Sequence, residues 1–373
     1  MVQINNPINE DKTMDSSLFF NQEDHGNIPE QFIWSKDQDD SHTTIEVLDA
    51  PIVDLQDFFK HDKKATLHAA NLVKKSCLSH GFFQVVNHGI DPSLVAMADE
   101  YGRAFFKLPI TEKMKYKKKE GSVVGFASAH ANRFSKKLPW KEMLSFEYHE
   151  NGPNEAAVDF FNSVSSRQLK ETGLIYQKYC KSMKKLALKI FELLEISLDV
   201  DGHKYYKELF EDCISIMRCN YYPRCNQPNL TNGVGPHCDP TTITILYQDE
   251  VGGLEVFFDN KWKSVPPHPN ALVINIGDTF QALSNGKYRS CLHRVMVNSY
   301  KPRLSLAFFV CPRGDKVLKP PQKLVEKDGG REYPDFKWEE FLYFTQNHYR
   351  VDEDTLEQFT KWILSKNTTN ICS

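Results

Sequence analysis

Gly235-Pro236-His237-Cys238-Asp239-Pro240 sits inside a β-rich stretch, and its reading decides the fold and the chemistry together. His237 and Asp239 are two residues apart, so on an extended strand both side chains leave the same face. A third candidate ligand, His293, lies far along the chain, and Arg303-Leu304-Ser305 follows it. Two histidines and a carboxylate can close one triangular face of an octahedral metal and leave the other face open, the arrangement of non-haem Fe(II) oxygenases. Arg303 and Ser305 share a strand face, and a guanidinium beside a hydroxyl is a good receptor for a carboxylate. The set points to Fe(2+), dioxygen and an acidic co-substrate. A lone histidine is more often structural than a ligand; the combination carries the inference. Zinc is the rival metal, because His and Asp bind it too and hydrolytic zinc sites also keep three protein ligands and a water.

Around this stretch, short apolar and β-branched runs alternate with Pro, Gly and Asn turns: 214–222, 241–247, 254–258, 271–276, 293–297 and 304–310. That spacing predicts a double sheet or barrel. Upstream, 52–55 reads as a first strand and 81–89 as another, whereas 61–79, 91–107 and 168–198 carry apolar residues at helical spacing. Residues 113–135 are basic, then Gly- and Ser-containing, and read as loop-rich; 336–345 and 354–365 return to helical spacing. The expected class is α+β with a mainly β core. Its expected form is a double-stranded β-helix (jelly roll) with flanking helices, a helical N-terminal region and C-terminal helices. The expected division is a mobile N-terminal arm over 1–48, a mostly helical region over 49–205, the jelly roll over 206–313 and a helical extension over 314–373. The arm is polar, and its patch Phe32-Ile33-Trp34 is expected to dock elsewhere.

The 46 basic residues nearly balance the 49 acidic ones, which indicates no nucleic acid partner. No run of 18 apolar residues is present, so no membrane span is expected. The start lacks an apolar signal core. Nine scattered cysteines without a C-x-x-C pair fit reduced thiols, hence a cytoplasmic protein. A monomer is expected.

Asn220-Tyr221-Tyr222-Pro223 places Asn220 and Tyr222 on one strand face, where the phenol either fills core or bonds a bound diacid. Cys238, between the two ligands, points the other way and reads as packing. Asn275-Ile276-Gly277-Asp278 reads as a tight turn, with Asp278 a cap rather than a catalyst.

At these residues the chain resembles the plant Fe(II)/2-oxoglutarate-dependent dioxygenases. The pattern is Asn220-Tyr221-Tyr222-Pro223, His237-x-Asp239, His293 and Arg303-x-Ser305, with Gly81-Phe82-Phe83-Gln84-Val85-Val86-Asn87-His88-Gly89 upstream. It covers roughly residues 45–364. A narrower resemblance is to the gibberellin 20-oxidases. It rests on Leu138-Pro139-Trp140-Lys141-Glu142, the stretches from Gly235 to Thr241 and from Asn275 to Phe280, Tyr333-Pro334-Asp335-Phe336 and Phe344-Thr345-Gln346-x-His348-Tyr349-Arg350. Arg224, Ile243, Tyr247 and Met143 depart from the usual residues, and the last three bear on pocket shape.

The resemblance implies 2-oxoglutarate chelating iron, its far carboxylate held by Arg303, Ser305, Tyr222 and Asn220, with ascorbate as reductant. It implies oxidation of carbon 20 of a diterpenoid carboxylic acid, from methyl to alcohol to aldehyde, followed by loss of the carbon or acid formation. Such a substrate needs a largely apolar pocket with one or two placed cations. Candidates are Arg133, Lys137 and Lys141 near Trp140, although a solvated basic segment is the commoner fate of such residues. Alternatives are a gibberellin 3- or 2-oxidase, a flavonoid dioxygenase, an ethylene-forming oxidase and a metal-bearing hormone-binding protein without catalysis.

Overall fold

The computed structural model describes residues 28–34, 45–119, 121–129, 137–150, 155–164, 169–200, 204–348 and 354–369. Its first strands are β1 (Ile52–Asp54), β2 (Phe82–Val86), β3 (Gly125–Ser128), β4 (Glu142–Tyr148), β5 (Ile214–Tyr222) and β6 (Asn232–His237). They are followed by β7 (Ile243–Gln248), β8 (Leu254–Phe258), β9 (Lys261–Ser264), β10 (Leu272–Ile276), β11 (His293–Met296) and β12 (Arg303–Cys311). An eight-stranded sheet runs β1-β2-β10-β7-β12-β5-β4-β3, and a four-stranded sheet runs β6-β11-β8-β9. A cavity is lined from both sheets. This is the double sheet that the strand spacing predicts, in the expected form of a jelly roll.

Strand alternation decides what faces the cavity. On β12, Leu304, Leu306, Phe308 and Val310 enter the main apolar core, while Arg303, Ser305, Ala307 and Phe309 line the cavity. On β5, Met217 and Cys219 go to the core, and Ile216, Arg218, Asn220 and Tyr222 go to the cavity. The two strands pair antiparallel, with Arg303 opposite Tyr222 and Ser305 opposite Asn220. One two-residue period therefore gathers four polar side chains on a single inner face.

The outer face of the large sheet is covered by helices. The longest, Lys170–Leu198, buries Tyr176, Tyr179, Met183, Ile190 and Leu194, and it stops where Asp199 takes the left-handed conformation at φ 58°. No described helix is long and apolar enough to cross a membrane. The eight described cysteines are free thiols.

Two expectations need correction. Residues 113–135 are not simply loop: they contain β3, which pairs with β4 in the large sheet. The mostly helical N-terminal region thus supplies four strands to the same sheet as the jelly roll. The reason is that β4 is buried on both faces except at Glu147, so it has no polar alternation to read. The arm was expected to be mobile, yet its described pieces are held. Phe32 is buried, Leu48 is buried, and Val47 bridges to Ser264 on β9. Burying a phenylalanine side chain alone stabilises by roughly 1.5–3 kcal/mol. The rest of the arm lies outside the described residues.

Glu195, on the long helix, is fully buried; Oε1 accepts from the Tyr206 backbone N–H, and Oε2 has no hydrogen-bond partner among the described residues. Burial, aided by Glu192 and Glu208, pushes its carboxyl up to about 7 from an ordinary 4.5. The folded state therefore binds more protons than the unfolded chain between those values. This group's contribution to stability falls as pH rises through that window, and its loss is complete above it. Glu195→Gln is expected to gain thermal stability relative to the wild type as pH rises from about 5 to about 8. Melting curves that shift in parallel across that range would contradict this.

Candidate active site

His237 ends β6 and His293 begins β11, and the two strands pair so that these residues are cross-strand partners. Asp239 follows in the turn after β6. One ligand atom from each of the three lies within 4.8 Å of the others. His237 Nε2 is 3.6 Å from Asp239 Oδ1, and His293 Nε2 is 3.8 Å from Asp239 Oδ2.

Each imidazole is oriented by its other nitrogen. His237 Nδ1 meets the Gly235 carbonyl at 2.8 Å, and His293 Nδ1 meets the Cys291 carbonyl at 3.1 Å. A carbonyl only accepts, so Nδ1 carries the proton in both rings and Nε2 presents its lone pair to the centre. Burial and the neighbouring His293 hold His237 well below the ordinary imidazole range, in its neutral, ligating form. Burial alone would raise the Asp239 carboxyl; positive charge at the two histidine positions, with the Thr244 and Asn275 donors, holds it below the usual carboxylate range.

Thr244 Oγ1 donates to Asp239 Oδ2 at 2.6 Å, and Asn275 Nδ2 donates to the same oxygen at 2.9 Å. The ligand turn rests on the segment after β10. Asp278 N–H donates to the Asp239 carbonyl at 2.8 Å, and Thr279 Oγ1 donates to the Pro240 carbonyl at 2.6 Å. A Cβ at Gly277 would lie 2.0 Å from the Thr241 carbonyl oxygen, so only glycine permits this approach. Thus Asn275-Ile276-Gly277-Asp278, expected to be a tight turn, is instead the end of β10 running into the helix Asp278–Leu283, and it cradles Asp239. Asn275 and Thr244 were missed as site residues; the signal was polar side chains on two central, otherwise apolar strands.

Arg303 is 1% exposed. Its Nη2 donates to Gln248 Oε1 at 3.1 Å, while Nε and Nη1 have no hydrogen-bond partner among the described residues. Its guanidinium lies 5.0 Å from the centre of the Tyr222 ring. Burial pushes the titration of the Tyr222 hydroxyl up, and the neighbouring Arg303 charge and Ser305 offset it only in part. A buried cation with idle donors needs an anion, and a bidentate carboxylate supplies one. Neutral nitrogen ligands, an ionised carboxylate and an adjoining carboxylate receptor fit ferrous iron chelated by a keto diacid.

The other sequence candidates divide. Lys141 is buried, lines the cavity, and donates to Asn220 Oδ1 at 3.3 Å. Burial, then the charges of Arg218 and Lys118, lowers its ammonium to about 7. Trp140 does not line the cavity; its indole N–H donates to the Pro223 carbonyl. Arg133 lies outside the described residues. Met143, Ile243 and Tyr247, read as bearing on pocket shape, do not line this cavity either. Its apolar wall comes instead from Ile216, Phe309, Val123, Trp338 and Leu342. Trp338 and Leu342 belong to the C-terminal helix Trp338–Asn347, whose part in the site had no sequence signal beyond its apolar spacing.

Residues 213–312 match the family model of the 2OG-Fe(II) oxygenase superfamily, and residues 50–166 match that of the non-haem dioxygenase in morphine synthesis N-terminal region. The chain is 48% identical to gibberellin 20 oxidase 3 of Arabidopsis thaliana over 365 residues, 97% of this chain and 95% of that one. It is 49% identical to gibberellin 20 oxidase 2 of Oryza sativa subsp. japonica, over 90% of this chain and 85% of the relative. Among solved structures, JOX2 in complex with 2OG, Fe and JA matches with a TM-score of 0.74 at 30% identity, over 90% of this chain and 94% of that one. With identity near one half spread over almost the whole length, the chain belongs to the 2OG-Fe(II) oxygenase superfamily and is similar throughout to gibberellin 20 oxidases.

Proposed function

We propose that this protein is a gibberellin 20-oxidase: it oxidises carbon 20 of gibberellin precursors, using Fe(II), 2-oxoglutarate and dioxygen. The sequence runs from methyl to alcohol to aldehyde, then to loss of the carbon or to an acid. The observation that carries the reading is the pair of idle donors on buried Arg303, in the cavity that also holds His237, Asp239 and His293.

Iron held by those three residues supplies the power, drawn from dioxygen and 2-oxoglutarate, to remove hydrogen from an unactivated carbon. The chain's residues do the rest. Arg303 and Ser305 grip the far carboxylate of 2-oxoglutarate, with Tyr222 and Asn220 beside them. Gly235 and Cys291 carbonyls hold the imidazoles in the ligating tautomer, and Thr244 and Asn275 hold Asp239. Lys141 offers a positive charge to a substrate carboxylate, while Ile216, Phe309, Trp338 and Leu342 provide the apolar wall for a polycycle and exclude water. We read the free thiols as fitting a cytoplasmic enzyme.

The direct test supplies a gibberellin precursor, Fe(II), 2-oxoglutarate and ascorbate, and follows succinate together with product mass. Coupled succinate release and stepwise oxidation at carbon 20 are expected. Oxidation only at another carbon would assign a different oxidase, and precursor binding without oxygen uptake would favour a hormone-binding protein.

Arg303→Lys replaces a two-point fork with a point charge, so the KM for 2-oxoglutarate should rise ~10- to 100-fold. An unchanged KM would place the diacid elsewhere. Asn275→Ala removes one of two donors to Asp239 Oδ2, and metal affinity in a Mn(II) titration should fall about tenfold or more. Wild-type affinity in that variant would mean that Asn275 does not orient the ligand.

A further inference from the structure

We infer that Trp34 is a positioning residue for this site, through a strap formed by residues 28–34. The inference rests on the proposed function for its substrate half and on the geometry for its metal half.

Gly235 shows the first contact. A Cβ there would lie 2.1 Å from Trp34 Cη2 and 2.3 Å from Cζ3, so the outer edge of the indole sits against a backbone that must be glycine. The carbonyl of the same Gly235 accepts the proton of His237 Nδ1. The ring thus backs the peptide that sets the orientation and tautomer of a metal ligand.

The second contact runs the other way. Trp34 Nε1 donates to the Leu138 carbonyl at 2.9 Å, and the Leu138 N–H donates to the Gln31 carbonyl at 2.8 Å. Lys141 stands three residues beyond Leu138. Phe32 is buried edge-on against Trp140 at 5.2 Å, and the Trp140 N–H donates to the Asn232 carbonyl on β6. The Trp34 N–H donates to the Leu230 carbonyl, just before β6. One short segment therefore ties the strand that delivers His237 to the loop that delivers Lys141. Neither Trp34 nor Phe32 lines the cavity, so the effect is indirect.

The two contacts use different parts of one side chain. The tryptophan isostere 3-benzothienylalanine keeps both rings, with their outer edge on Gly235, and loses the N–H to Leu138, whereas alanine loses both contacts. The test uses the full chain, with Mn(II) titration by electron paramagnetic resonance and KM values for a gibberellin precursor and for 2-oxoglutarate. Trp34→Ala should weaken Mn(II) binding about tenfold. The 3-benzothienylalanine variant at position 34 should keep Mn(II) affinity within about twofold and raise the precursor KM about fivefold, with the 2-oxoglutarate KM unchanged. If Trp34→Ala lowers only the melting temperature, or if both variants weaken Mn(II) equally, the positioning role is overturned. Wild-type protein that binds no Mn(II) would overturn the metal assignment along with the strap. Normal Mn(II) binding by wild type and Trp34→Ala alike would overturn the strap alone.

Discussion

Asp239 is a buried carboxylate between two imidazoles, and the site is organised around keeping it charged in that place. Removing a carboxylate from water costs several kcal/mol unless other groups compensate. Here the compensation comes from the large sheet. Thr244 on β7 and Asn275 on β10 donate to Oδ2, while Oδ1 faces His237 Nε2 from the small sheet. The large sheet thereby sets the orientation of a ligand that the small sheet delivers. Cross-strand pairing of His237 with His293 then fixes the remaining two donors without any long loop.

Arg303 is the electrostatic counterpart. The His-Asp-His group is a buried set of lone pairs and needs a cation; Arg303 is a buried cation with unused donors and needs an anion. In the proposed function, a metal and a keto diacid would satisfy the two needs at once, since a keto diacid can bind a metal at one end and offer a carboxylate at the other. The period of two on β5 and β12 makes this possible. It sends aliphatic residues to the helical layer and Arg303, Ser305, Tyr222 and Asn220 inward.

Most of this was legible in the residue order, for identifiable reasons. His237 and Asp239, like Arg303 and Ser305, stand two residues apart, the period that puts side chains on one face of extended chain, although Asp239 itself lies just past the end of β6. Strand β4 was not legible, because a strand buried on both faces carries no alternation and its Lys141-Glu142 start looks solvated. Asn275 and Thr244 were hidden for a related reason: their roles depend on which strands neighbour Asp239, and strand order is not written in local pattern. The patch at Phe32-Ile33-Trp34 announced that it would dock, but its berth on Gly235 and Leu138 depends on contacts about two hundred and one hundred positions away.

The central claim is geometric, so a direct structural measurement tests it best: anomalous diffraction at the iron edge from crystals grown without oxygen, with Fe(II) and 2-oxoglutarate added. The account predicts one iron peak within bonding distance of His237 Nε2, an Asp239 oxygen and His293 Nε2, with the far carboxylate of the diacid on Arg303. An iron peak away from any of those three atoms, or a diacid whose carboxylate leaves Arg303 empty, would contradict it.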